Sequence, residues 1–153
     1  MSTDRPVVGI TMGDPGGIGP EIVVESYETV FEETRIVVLG DTDVLRNAIQ
    51  VRSVDLGVNP VDRVEDAVDE DGVLDVLDFG NVESHTFGAV RAEYGRASIE
   101  YVERAIELAL EDKVDAMANA PINKKAMNMA GSEYTGHTPL LTERTGTGPV
   151  PPS

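Results

Sequence analysis

The sequence predicts an α/β fold in which a largely parallel sheet is covered by helices on both faces. Two observations support this prediction. Short apolar segments of strand length alternate with longer segments of helical periodicity, and parallel strands need such crossover connections. The chain has 153 residues, of which 41% are hydrophobic, so it can bury the core of one ordinary domain.

The first half of the chain shows this alternation clearly. The apolar run "PVVGITM" (6–12) predicts a buried strand. A helix is expected over about 20–33, because Pro20 is tolerated in a first turn and Glu21 suits the positive end of the helix dipole. "RIVVLG" (35–40) predicts a second buried strand, and Asp41 can cap the helix that follows it.

The second half continues the pattern. "GVLDVLDFG" (72–80) predicts a strand, and 89–112 predicts the strongest helix, with apolar residues recurring at helical spacing: Ile99, Val102, Ile106 and Ala109. "VDAMANAP" (114–121) predicts a strand stopped by proline, and "NKKAMNMAG" (123–131) a short helix. We expect residues 1–146 to form the α/β portion and residues 147–153, which include three prolines, an irregular tail.

The charge of the chain is unusually negative. Its 28 acidic and 12 basic residues give a net charge of −16, which repels nucleic acids and anionic membranes. The absence of cysteine excludes disulfides and thiolate metal sites. With no long apolar run and no basic leader, a cytoplasmic location is predicted. The acidic, Lys-poor composition indicates a protein adapted to concentrated salt, and a merely acidic mesophilic protein is the alternative.

The stretch "TMGDPGGIGPEI" (11–22) is rich in glycine and lies between the first strand and the first helix. It lacks the lysine of a phosphate-binding loop, and Ile22 occupies the place of the third glycine in a dinucleotide fingerprint. The acidic segment 61–72 lacks the calcium-loop pattern because residue 67 is alanine, so we interpret it as a solvated acidic face.

The chain contains two histidines, which we interpret differently. His85 is interpreted as a surface or hydrogen-bonded polar residue. His137 stands beside Thr138 and follows Lys124 and Lys125, so these side chains could bind an anionic substrate. A helix N-terminus at Thr135 or Thr138 is the alternative explanation.

Three segments, "GITMGDPGGIGPEIV", "VDAMANAPINKKAMNMAG" and "YTGHTPLLTERTG", together resemble the N-terminal half of 4-hydroxythreonine-4-phosphate dehydrogenase, an enzyme family of pyridoxal phosphate biosynthesis. The match extends to about residue 146. The first segment is also similar to the start of isocitrate and isopropylmalate dehydrogenases. The resemblance implies their three-layer α/β/α fold, here truncated, with the glycines forming a tight turn beside the active-site cleft.

The resemblance implies NAD-dependent oxidative decarboxylation of 4-phosphohydroxy-L-threonine by a homodimer that uses a divalent metal. In the family the Gly-His-Thr motif contacts the substrate, which carries over to His137 and Thr138. The family's metal-binding histidines lie further along a longer chain, so this chain is expected to lack metal ligands and to be inactive alone. The resemblance assigns no catalytic residue and no cofactor contact within it.

Two positions depart from the family pattern. Pro139 follows Gly-His-Thr where glutamate is common, and Asn119-Ala-Pro stands where Thr-Gly-Pro is frequent. The second departure indicates a relative that acts on another phosphorylated hydroxy acid, such as threonate or erythronate 4-phosphate. A non-catalytic α/β module that binds a phosphorylated ligand or a partner is a further alternative.

Overall fold

A computed structural model describes residues 5–31, 33–83 and 85–120. Five parallel strands form one sheet in the order β3-β4-β2-β1-β5. They are β1 (Val7–Thr11), β2 (Arg35–Gly40), β3 (Gly57–Val61), β4 (Val73–Asp78) and β5 (Ala116–Asn119). The predicted α/β class is therefore confirmed, and four of the strands lie where the sequence placed them.

Three helices connect these strands: α1 (Gly19–Phe31), α2 (Thr42–Arg52) and α3 (Ala92–Leu110). As predicted, Asp41 caps α2, because its side chain accepts from the amides of Asp43 and Val44. Helix α3 is three residues shorter at its start than the sequence indicated. No helix in the described residues combines the length and apolar character needed to cross a membrane.

The helices cover opposite faces of the sheet. Ile10 of β1 and Ala118 of β5, which are register partners, line the same surface as α1, and α1 packs on α2. The neighbouring pair, Gly9 and Met117, faces the other way, where Met117 packs on α3. The core between these layers contains the fully buried Leu39, Leu45 and Tyr101. The sandwich of layers matches the predicted architecture.

The sequence did not predict strand β3, but it predicted most of the acidic segment beside it correctly. Strand β3 contains Asn59 and Pro60, residue types that are uncommon in strands, so its sequence does not show a strand pattern. It pairs with β4 at one edge of the sheet. Most carboxylates of the acidic segment 61–72 are exposed, as predicted. Asp69 differs, because its side chain is only 14% exposed and pairs with Arg5 and Arg35.

Candidate functional site at the carboxyl edge of the sheet

The carboxyl ends of the strands bring together residues that are far apart in sequence. Residues 12–18 follow β1, Asp41 follows β2, Asp78 ends β4 and Asn119 ends β5. Strand β2 leads to α2 on one face of the sheet, and its neighbour β4 leads to α3 on the other. Ligands of open α/β sheets bind outside the carboxyl ends of strands, at such a switch point.

The glycine-rich loop after β1 is built around a buried carboxylate. Asp14 is 1% exposed, and its Oδ1 accepts from the Gly16 amide at 2.8 Å. Burial raises the pKa of Asp14 above its ordinary value of 3.8, although the amides of Gly16 and Gly17 and the nearby His85 act in the opposite direction. Its Oδ2 is buried and has no hydrogen-bond partner in the described part of the chain.

A segment from the β4–α3 connection, residues 85–89, closes over this loop. The Gly88 amide donates to the Gly16 carbonyl oxygen at 2.7 Å. A Cβ atom at Gly16 would lie 2.2 Å from the Ala89 carbonyl oxygen and 2.8 Å from Cδ2 of Tyr94. Close packing within the protein therefore requires glycine at position 16. From the sequence, the glycines of this loop were expected only to form a tight turn beside the active-site cleft.

His85 fastens the same loop to helix α2. Its Nε2 lies 2.5 Å from the Pro15 carbonyl oxygen, and its Nδ1 lies 2.9 Å from Nδ2 of Asn47. Because a carbonyl oxygen only accepts, the network assigns the hydrogen to Nε2 and makes Nδ1 the acceptor from Asn47. The interpretation of His85 as a hydrogen-bonded polar residue is thus confirmed, but its role in holding the glycine loop was missed.

The β2–β4 half of the edge is acidic, and its carboxylates accept hydrogen bonds from backbone amides of the chain itself. Asp41 is buried and accepts from the amides of Asp43 and Val44 through Oδ1 and of Val82 through Oδ2. Burial raises the pKa of Asp41, the amides of Val44 and Val82 lower it, and nearby Asp78 raises it further. Asp78 in turn accepts from the Thr42 amide at 3.1 Å. These carboxylates disfavour an anion at this half of the edge.

The β1–β5 half carries neutral polar groups instead. Thr11 and Asn119 are register partners, and the Thr11 hydroxyl donates to Oδ1 of Asn119 at 2.8 Å. The Ala120 amide donates to the Thr11 carbonyl oxygen at 3.0 Å. The ends of β1 and β5 themselves therefore carry neutral groups, and the carboxylate of this half is Asp14, which is buried within the loop that follows β1.

Two other concave surfaces suit a phosphorylated or carboxylated compound poorly. One, of about 500 Å³, runs along α3 and is lined by Glu100, Glu103 and Glu107 together with Arg104 and apolar side chains. The other, of about 210 Å³, lies between α1 and strands β1 and β5; it reaches Asn119 at the end of β5 but is otherwise mostly apolar, with Ile10 and Tyr27 in its wall. Acidic and apolar linings both disfavour an anion.

The residues predicted to bind substrate, His137 and Thr138, lie outside the described residues, as do Lys124, Lys125 and the tail 147–153. Within residues 5–31, 33–83 and 85–120, no group of three or more His, Cys, Asp or Glu side chains is arranged to hold a metal ion. The described site is therefore the glycine loop, its closing segment and the Thr11–Asn119 pair.

Comparison with known proteins gives consistent matches. The family model described as "Pyridoxal phosphate biosynthetic protein PdxA" matches residues 32–151. A putative D-threonate 4-phosphate dehydrogenase of Fusobacterium nucleatum is 40% identical over 141 residues, which cover 90% of this chain and 42% of that protein. A 4-hydroxythreonine-4-phosphate dehydrogenase of Desulforapulum autotrophicum is 39% identical over 151 residues, 96% of this chain and 44% of that protein.

Solved structures agree with these matches. A crystal structure of a 4-hydroxythreonine-4-phosphate dehydrogenase from Burkholderia phymatum superposes with a TM-score of 0.90 at 37% identity, and the match covers 94% of this chain and 44% of that one. A terephthalate 1,2-cis-dihydrodiol dehydrogenase from Burkholderia xenovorans superposes with a TM-score of 0.74 at 29% identity, covering 94% of this chain and 41% of that one. The chain spans less than half the length of the relatives it matches.

Proposed function

We propose a function for this chain on the premise that it belongs to the PdxA family of pyridoxal phosphate biosynthetic proteins. It forms the N-terminal wall of the substrate site in a dehydrogenase of 4-phosphorylated hydroxy acids. One observation carries the proposal: relatives at 39–40% identity over at least 90% of this chain are named for such substrates. The candidate reactions are oxidation of 4-phosphohydroxy-L-threonine with decarboxylation and oxidation of a threonate or erythronate 4-phosphate.

The proposed role of this chain is to hold the substrate. His137 and Thr138 would donate hydrogen bonds to anionic oxygens of the compound. The Thr11–Asn119 pair supplies neutral polar groups at the carboxyl ends of β1 and β5. The folded glycine loop, fixed by Gly88 and His85, gives the site a rigid wall.

A dehydrogenase needs a hydride acceptor, and we propose NAD together with a divalent metal for the enzyme as a whole. The described residues fit neither group. Asp41, the acidic residue after β2, already accepts three backbone amides, and the described residues contain no metal-ligand set. A homodimer and a cytoplasmic location are further proposals.

Calorimetric titration of the 153-residue chain with 4-phosphohydroxy-L-threonine and D-threonate 4-phosphate tests the proposal. Replacing His137 with alanine should weaken binding by about 1–3 kcal/mol, which is the loss expected for one hydrogen bond to a charged group. Gln50→Ala is the control, because Gln50 is an exposed polar residue of α2, and this variant should keep the wild-type affinity. Equal affinities of wild-type and His137→Ala protein would reject the role of His137, and absence of binding to either compound would reject the proposed function.

A further inference from the structure

The two faces of strand β5 differ in how well they are covered. On one face, Met117 packs against the buried Val102 and Ile106 of α3. On the opposite face Ala118 is exposed, and Ile22 of α1, which lines the same surface, is 39% exposed. Space for an element that follows β5 therefore lies on the side of the sheet that α1 covers.

This space is the mostly apolar groove of about 210 Å³ between α1 and strands β1 and β5. Its lining includes Ile22, Ser26 and Val30 of α1 and, on the side of the sheet, Ile10, Ala118 and Ala120. Apolar surface left in contact with water is unfavourable, so the groove favours an apolar occupant.

The chain itself leads into this groove. Ala120, the last residue that the structure describes, lines it, and residues 121–153 follow. The sequence predicts a nine-residue helix over 123–131, which would be about 13 Å long. The part of α1 that lines the groove, residues 22–30, has the same length. Because the predicted helix starts three positions after Ala120, little loop entropy is lost when it packs there.

The residues of this segment form an apolar side and a polar side. Ile122, Ala126 and Met129 are spaced i, i+4 and i+7, so they share one face of a helix. Lys124 and Asn128 are four positions apart and lie on the opposite face. A helix over this segment can therefore bury its apolar side and keep its lysines in water.

Charge favours this segment over a second copy of the chain as the occupant. Residues 121–131 contain two lysines and no acidic residue, whereas the whole chain carries a net charge of −16. The segment is therefore attracted to the rest of the chain, and two copies repel each other.

We propose that residues 122–130 dock in this groove as a helix beside α1, with Ala126 and Met129 turned toward Ile22 and Val30. The groove is thus an intramolecular docking surface for the segment that directly follows β5. This docking needs no substrate, so its test is independent of the proposed function.

Trypsin cleavage of the 153-residue chain after Lys124 and Lys125, followed by mass spectrometry, measures the docking. Cleavage requires the segment to leave the groove, so its rate follows the undocked fraction. Met129→Asp should raise this rate at least about tenfold, because the burial of the methionine is lost. Asn128→Asp is the matched control, since it adds the same charge on the opposite face, and it should keep the wild-type rate.

A second pair of variants tests the groove itself. Ile22→Asp should accelerate the same cleavages, because Ile22 lines the groove. Ile18→Asp is its control, since Ile18 is 62% exposed and does not line the groove, and it should leave them unchanged. Equal effects within either pair, or wild-type cleavage as fast as that of Met129→Asp, would overturn the proposal.

Methyl NMR of the wild-type protein avoids any dependence on the folding of the variants. Nuclear Overhauser effects should connect the Met129 methyl group with methyl groups of Ile22 or Val30 at low protein concentration. Their absence would overturn the proposal. Protection from trypsin that appears only as protein concentration rises would identify a second copy as the occupant and would overturn it as well.

Discussion

Replacement of Gly16 by alanine should destabilise the protein more than replacement of the adjacent Gly17. At Gly16 the new methyl group would lie 2.2 Å from the Ala89 carbonyl oxygen and 2.8 Å from the ring of Tyr94. Real Cβ atoms essentially never show such distances. Neither neighbour can move easily, because one is a backbone atom and the other belongs to a fully buried ring.

The expected magnitude follows from this geometry. Overpacking typically costs about 1–3 kcal/mol, and we expect Gly16→Ala near the upper end, because the Gly88–Gly16 hydrogen bond of 2.7 Å must also lengthen. At Gly17 the nearest atoms to an added Cβ lie at 3.6–4.0 Å, which is ordinary contact. Gly17→Ala should therefore change the free energy of unfolding by no more than about 1 kcal/mol, and a gain is possible because alanine restricts the unfolded chain.

Urea unfolding followed by circular dichroism measures both free energies under identical conditions. A loss of about 3 kcal/mol in a chain of this size corresponds to a thermal midpoint lower by roughly 6–12 °C. If the two alanine variants unfold with the same free energy, residues 85–89 do not pack on the glycine loop as described. The carboxyl edge would then lack its closing segment.

Two further predictions concern charge. The thermal midpoint should rise markedly between about 0.1 M and multimolar KCl, because salt shortens the screening length from about 10 Å to about 3 Å at 1 M and relieves repulsion within a chain of net charge −16. A flat or falling midpoint in dichroism melts would contradict adaptation to salt. Because burial raises the pKa of Asp14, its contribution to the free energy of unfolding is fully present below the ordinary pKa of 3.8. The contribution is lost as pH rises through the higher pKa of the folded state. The free energy of unfolding of Asp14→Asn should therefore improve relative to wild type as pH rises from about 4 to 7. A constant difference in urea titrations across that range would refute the assignment.

The two halves of the carboxyl edge serve different purposes. Between β2 and β4, carboxylates accept backbone amides and hold the ends of α2 and β4 together. Between β1 and β5, a threonine and an asparagine bond to each other. The ends of β1 and β5 therefore carry less charge than the ends of β2 and β4, where Asp41 and Asp78 lie.

The sequence by itself determined the elements whose signals are local. Strands β1, β2, β4 and β5 are apolar runs, α3 has a clear helical period, and Asp41 precedes α2 as a cap. Each of these signals depends on residues within a few positions of one another, so it can be recognised without knowing the fold. The motifs shared with the family are likewise recognised from residues that are close together in sequence, and they led to the correct fold class.

Only the tertiary structure decided what those elements meet. Strand β3 is held by pairing with β4, although Pro60 and Asn59 weaken its own signal. The residues that close over Gly16, namely Gly88, Ala89 and Tyr94, lie more than 70 positions away, and His85 reaches Pro15 across 70 positions. Thr11 and Asn119 are 108 positions apart and become neighbours because β1 and β5 pair in register. Hydrogen bonds and close packing act over a few ångströms of space, whatever the distance along the chain, so the fold alone could reveal these partners.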